Sequence, residues 1–197
     1  MKPVRDVVMI ALLTGALATG TQACADDGLF RPEAIGITAG YTRGADVAIY
    51  AAQARWRLPA RRDWLARHYL DVRAEAQVAY WQGRGTPTPY GHLWDFSVQP
   101  ILRWTPPVSA SLDWFVEGGI GLHILSATRI NSDRQLGTAV QFGEMIAAGV
   151  AFGRHREYEI ALYFQHVSNA NLDRDANWGL SYPGVVFRMA FPSREDG

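Results

Sequence analysis

Alternation with a period of two residues, renewed eight times between turn residues, constrains this 197-residue chain more than any other feature. In the clearest segment, near 111–125, Leu112, Trp114, Val116, Ile120, Leu122 and Ile124 share one parity, and Asp113, Glu117 and His123 the other. The segment at 92–104 sets Trp94, Phe96, Val98, Leu102 and Trp104 against Asp95, Ser97, Gln99 and Arg103. At 69–82, Val72, Ala74, Ala76, Val78 and Tyr80 oppose Arg73, Glu75 and Gln77. Successive side chains of a strand point to opposite faces, so each segment reads as a strand with one apolar and one polar face. The remaining segments fall near 34–42, 46–57, 137–152, 157–168 and 180–191.

An exported soluble β-sandwich produces the same alternation with its apolar face buried, so the architecture turns on three further features. The chain opens Met-Lys-Pro-Val-Arg-Asp, continues with an apolar run from Val7 to about Ala18 and reaches Ala23-Cys24-Ala25. A basic start, an apolar stretch too short to cross a bilayer as a helix and a small-x-small site describe a signal peptide over 1–25. Cleavage after Ala25 removes the one cysteine and leaves an exported domain, 26–197, without disulfides. Acylation of Cys24 is the rival reading, opposed by Thr21 where such signals usually carry Leu. The strands run to about ten residues or more, which suits a tilted membrane crossing, and Trp and Tyr recur near strand ends as in interfacial girdles.

The expected fold is all-β, an eight-stranded antiparallel transmembrane β-barrel. Leu112, Trp114, Phe164, Phe187 and Met189 are expected outside. Arg73, Glu75, Asp95, Arg103, Asp113, Glu117, Glu159 and Arg188 are expected to pair with one another in the lumen. The chain has 19 basic and 19 acidic residues, and loss of Lys2, Arg5 and Asp6 with the signal keeps the remainder within one charge of neutrality. That balance gives no electrostatic footprint for nucleic acid. There is no Gly-rich phosphate loop, metal-spaced His/Cys cluster, internal repeat or dividing linker. One domain with no metal, cofactor or nucleic-acid partner is expected.

The seventh segment turns chemical at its end. In Phe164-Gln165-His166-Val167-Ser168-Asn169-Ala170, His166 and Ser168 share the parity of Ile160, Leu162 and Phe164, placing a base and a hydroxyl on the apolar face. With both termini periplasmic, odd strands run outward, and this one ends at the cell surface. The outer leaflet of a Gram-negative outer membrane is lipopolysaccharide, whose lipid A carries ester-linked acyl chains. A His/Ser pair at that height points to an ester hydrolase acting on lipid A. His68, His92, His123 and His155 read instead as interfacial anchors.

The stretch from about Phe115 to Phe191 resembles the PagL family of lipid A 3-O-deacylases. The resemblance rests on Gly118-Gly119-Ile120-Gly121, Phe142-Gly143-Glu144, Gly149 to Gly153 and, above all, His166-Val167-Ser168-Asn169-Ala170 followed by Asn177-Trp178-Gly179. It implies an outer-membrane barrel that hydrolyses the ester at position 3 of lipid A with a Ser/His/acid arrangement on its exterior and no cofactor. Ser168 is then the nucleophile, His166 the general base, and Asn177 the oxyanion-hole residue, with Asn169 supporting the loop or donating as well.

Two positions depart from the family pattern. Asn171 stands where the family often has Gly, and Ser181, four residues after Asn177, stands where it has its acid. A serine cannot offset an imidazolium by charge. Glu144 has the apolar parity of the sixth strand, and a tight connection around Arg154 would set it beside His166, which makes it the candidate acid. A pair without an acid, oriented by Ser181 or water, stays open. So does a different class of function, a non-catalytic small barrel with a structural or adhesive role. The partners expected are lipopolysaccharide and the outer membrane, with a homodimer left open.

Overall fold

The computed structural model describes residues 31–58, 63–84, 91–107, 113–131, 134–173 and 178–191. The expected signal peptide over 1–25, Leu112 and Asn177 lie outside the described residues. The chain runs β1 (Ala34–Thr42), β2 (Val47–Arg57), a short helix α1 (Asp63–Arg67), β3 (Leu70–Gly83), β4 (His92–Trp104) and β5 (Asp113–Leu125). It continues with the short strands β6 (Arg129–Asn131) and β7 (Arg134–Gln135), then β8 (Val140–Phe152), β9 (Tyr158–Ser168) and β10 (Leu180–Ala190).

The eight long strands close into a barrel in the order β1-β10-β9-β8-β5-β4-β3-β2, while β6 and β7 form a small sheet of their own. Every neighbouring pair in the barrel is antiparallel, and β1 meets β10 from Ala34↔Ala190 to Gly40↔Gly184. Closure through the β1–β10 ladder leaves no strand with a wholly unpaired side, the condition for a sheet to stand in lipid.

The two parities separate outside from inside as the alternation requires. Trp114, Phe164, Phe187 and Met189 are exposed on the outer surface, and Leu162 and Ile120 are 70% and 66% exposed. An apolar surface of this extent is what lipid covers. Inside, Arg73, Glu117 and Glu159 are buried. The soluble sandwich is thereby excluded.

Toward the end where β1 begins and β10 finishes, the lumen is filled by an ion-pair network centred on Arg55, which is 1% exposed. Its guanidinium lies 2.6 Å from both Glu75 and Glu117. Arg103 reaches Glu117 at 3.0 Å and Glu159 at 2.7 Å, and Arg188 reaches Glu117 and Glu159 at 3.3 Å. Arg73 pairs with Asp71 and Glu33. Charges removed from water are tolerated only when paired in this way.

Three details differ from expectation. Asp113 sits at the rim and pairs with Arg156, and Asp95 pairs with His123 instead of an arginine. Arg55 was not singled out, because β2 is alanine on both faces, Ala48, Ala52 and Ala54 outside and Ala51 inside, so its alternation has little contrast. The third difference lies at the opposite end, where the lumen is apolar instead of charged. Ile49, Trp81, Leu93 and Leu125 pack there with Ile130 and Leu136, which the β5–β8 connection folds over the mouth. Covering that mouth excludes water and makes an apolar filling favourable.

Candidate functional site

β9 keeps its alternation to the last residue. Ile160, Leu162 and Phe164 face out, His166 and Ser168 continue the row half-buried, and Ala161, Tyr163, Gln165 and Val167 face in. Antiparallel pairing then puts Glu144 of β8, His166 of β9 and Ser181 of β10 on one rung, with Ser168 opposite Phe142 on the next. Directly opposed residues on one face have Cβ atoms about 5 Å apart. Glu144 and Ser181 are exposed on the same outer surface.

His166 Nδ1 is hydrogen-bonded to Ser181 Oγ at 2.7 Å. Nε2, the Ser168 hydroxyl and the Glu144 carboxylate have no hydrogen-bond partner among the described residues. The rung thus holds the ring by one nitrogen, leaves the other available to Ser168 and sets a carboxylate on the far side. Ser168 and His166, two residues apart, have Cα atoms about 7 Å apart, a gap that the two side chains can bridge by leaning together.

Gly179 supports this pair from β10's side. Its φ of +44° lies in the left-handed region, and a Cβ added there would meet His166 Cε1 at 3.0 Å and Ser168 Cβ at 3.4 Å. Only glycine combines that backbone with that clearance. In the sequence the residue is visible as the glycine of Asn-x-Gly, without its contact to the histidine.

Asn169 is oriented differently from the pair. It is fully buried, its amide donates to the carbonyls of Leu136 at 3.3 Å and Asp173 at 3.1 Å, and its Oδ1 accepts the Asn171 amide at 3.0 Å. This geometry supports the loop. Asn171 has a φ of 64°, a conformation that asparagine tolerates better than other non-glycine residues, which accounts for it standing in a glycine's place.

His123, expected as an interfacial anchor, is instead inside the barrel. Its Nδ1 lies 2.8 Å from Asp95, and the Gln165 amide lies 3.0 Å from its Nε2. Both ring nitrogens are engaged and both partners of the His/Asp pair are fully buried, so no substrate reaches them. The sign of its strand position was available in the sequence, since His123 shares the parity of Asp113 and Glu117. His68 packs against Trp64 at a tilt and His92 stacks on Tyr80.

A closed eight-stranded barrel with an apolar exterior and a lumen of paired charges defines a small outer-membrane barrel. The sequence model of PagL, lipid A 3-O-deacylase, matches residues 50–190, and the chain belongs to that family. In structure the chain is similar to the crystal structure of the outer membrane enzyme PagL, with a TM-score of 0.66 and 22% identity over 80% of this chain and 99% of that one. A weaker similarity, to Neisserial surface protein A, has a TM-score of 0.47 and 10% identity over 80% of this chain and 94% of that one. No curated protein sequence matches the chain at a significant level.

Proposed function

We propose that this chain is a lipid A 3-O-deacylase of the Gram-negative outer membrane, hydrolysing the ester-linked chain at position 3 from the outer leaflet. Ser168 is the nucleophile and His166 the general base. The observation that carries the reading is a His/Ser pair on an otherwise apolar, outward-facing row, with the imidazole held by Ser181 at 2.7 Å. Two polar side chains on a lipid-facing surface are costly without a task. With the termini periplasmic, the end of β9 stands at the outer leaflet.

In the reaction, His166 Nε2 takes the Ser168 proton as Oγ attacks the acyl carbonyl. The ester bond to the sugar breaks, and the proton passes from the imidazolium to the leaving sugar oxygen. Water, deprotonated by the same nitrogen, then releases the fatty acid from Ser168. Ser181 orients the ring through Nδ1, and Glu144 is the candidate acid that offsets its charge. Asn177 is assigned as the oxyanion donor by its place in Asn-x-Gly. Asn169 acts through the loop that it ties together. The chemistry needs no cofactor.

The test is acyl release from purified lipopolysaccharide. Ser168→Ala is expected to give a folded barrel with no measurable release, and full activity in that variant would refute the mechanism. One observation favours a second reading: a serine occupies the family's acid position. A wild-type barrel that releases no acyl chain would establish that non-catalytic reading.

A further inference from the structure

A buried polar chain crosses the inner face of the barrel directly behind the rung that holds His166. Asp95 on β4, His123 on β5, Gln165 on β9 and Tyr182 on β10 are each at most 2% exposed. An Asp95 carboxylate oxygen lies 2.8 Å from His123 Nδ1, and the Gln165 amide nitrogen lies 3.0 Å from His123 Nε2. Tyr182 donates its hydroxyl hydrogen to Gln165 Oε1 at 3.2 Å. With Oε1 turned to Tyr182, the Gln165 amide nitrogen donates to Nε2, which leaves the His123 hydrogen on Nδ1, facing the carboxylate. Donor meets acceptor at every link.

The path depends on a residue with no side chain. β8 lies between β5 and β9, so His123 must reach across it, and it does so over Gly143. A Cβ at that position would overlap His123 Nε2 and come within 3.1 Å of Gln165 Nε2. Gly143 precedes Glu144, Gln165 precedes His166, and Tyr182 follows Ser181. The inner chain therefore meets each of these three strands at the residue next to its outward member of the rung. β9 and β10 are bonded on both faces there, Gln165 to Tyr182 within and His166 to Ser181 outside.

Apolar filling adjoins this chain, since Trp81 packs edge-on against Tyr182 with ring centroids 6.0 Å apart. Apolar packing accommodates small slips, whereas a hydrogen-bonded chain in a low-dielectric interior fixes its distances and is costly to break at any link. We propose that His123, Gln165 and Tyr182 are positioning residues, a crossbeam that fixes β8, β9 and β10 relative to one another and so holds His166 against Ser181 and within reach of Ser168. The role in activating Ser168 rests on the deacylase reading.

Two readouts separate positioning from stability alone. Tyr182→Phe and Gln165→Met remove hydrogen bonds of the crossbeam while nearly keeping volume. Gln53→Met, at a buried glutamine of β2 that accepts from Thr38, is the control. In detergent micelles the imidazole ¹⁵N resonances of His166 read the Nδ1 bond without turnover. Both crossbeam variants are expected to shift the His166 Nδ1 resonance, and Gln53→Met to leave it in place. With lipid A as substrate, both are expected to lower kcat about tenfold to a hundredfold at nearly unchanged KM, since a misplacement of about 1 Å can cost a hundredfold. Tyr182→Phe is the milder change and decides the matter if Gln165→Met does not fold. A folded Tyr182→Phe barrel with wild-type His166 resonances and kcat overturns the proposal, as does an equal loss in Gln53→Met. Shifted resonances in a protein whose wild-type form releases no acyl chain refute the deacylase reading and support the positioning of His166. Acyl release indifferent to both crossbeam variants refutes the crossbeam alone.

Discussion

In the proposed mechanism His166 takes a proton from Ser168 and its ring becomes a cation, so the groups on its rung determine how well that cation is held. Ser181 fixes the ring's orientation through Nδ1 but adds no charge. Glu144, across the other ladder, is the one carboxyl side chain on the rung. Glu144→Gln is therefore expected to lower kcat about tenfold or more with little change in KM, less than the roughly ten-thousand-fold loss found when a directly bonded triad carboxylate is neutralised. Ser181→Glu in that background is expected to restore activity. A Glu144→Gln variant as fast as the wild type would take the carboxylate out of the reaction and leave Ser181 as the sole partner. Gly179→Ala tests the support beneath the ring. The new methyl presses on His166 Cε1 in a left-handed backbone that costs about 1 kcal/mol. Acyl release is expected to fall much further than thermal stability, and parallel losses would argue against a positioning role.

Among the elements, the β5–β8 connection links the lumen to the site. Its Ile130 and Leu136 are buried in the distal lumen, and Asn131 donates to the Ala45 carbonyl. Arg134 donates to the carbonyls of Gly44 and Trp178, and the Leu136 carbonyl receives the Asn169 amide. One segment thus ties the β1–β2 turn to the β9–β10 connection that flanks His166 and Ser168. Ile130→Ala leaves a cavity under this plug and is expected to cost about 2–4 kcal/mol. Urea unfolding in micelles reads that loss, with a partial drop in activity as the connection loosens. Unchanged stability would mean that the plug contributes no packing. The sequence offered little sign of this element. The stretch from 126 to 139 lacks alternation, and its apolar residues acquire an inside only when the barrel mouth is beneath them. The eight long strands were legible to within a few residues, because each writes its own pattern locally.

Across the whole molecule, stability depends on lumen charges brought together by closure. Arg55 holds Glu75 and Glu117, the second 62 residues away in sequence. Arg55→Met takes the nearest cation from two buried carboxylates and is expected to destabilise the barrel by about 3–5 kcal/mol. The midpoint of urea unfolding in micelles measures it, and a loss below about 1 kcal/mol would show that Arg103 and Arg188 alone neutralise the lumen.

Bond geometry alternates side chains along any strand, so the sequence by itself determined the strands, their lipid-facing rows and the shared face of His166 and Ser168. It also carried the family motif. Which residues share a rung depends on how distant strands are staggered when the sheet closes, and that was decided only by the tertiary structure. Closure set Ser181 on His166 Nδ1, put Glu144 across from the ring, buried His123 against Asp95 and placed Arg55 at the centre of the lumen. Local alternation is a property of the chain, whereas register is a property of the closed sheet.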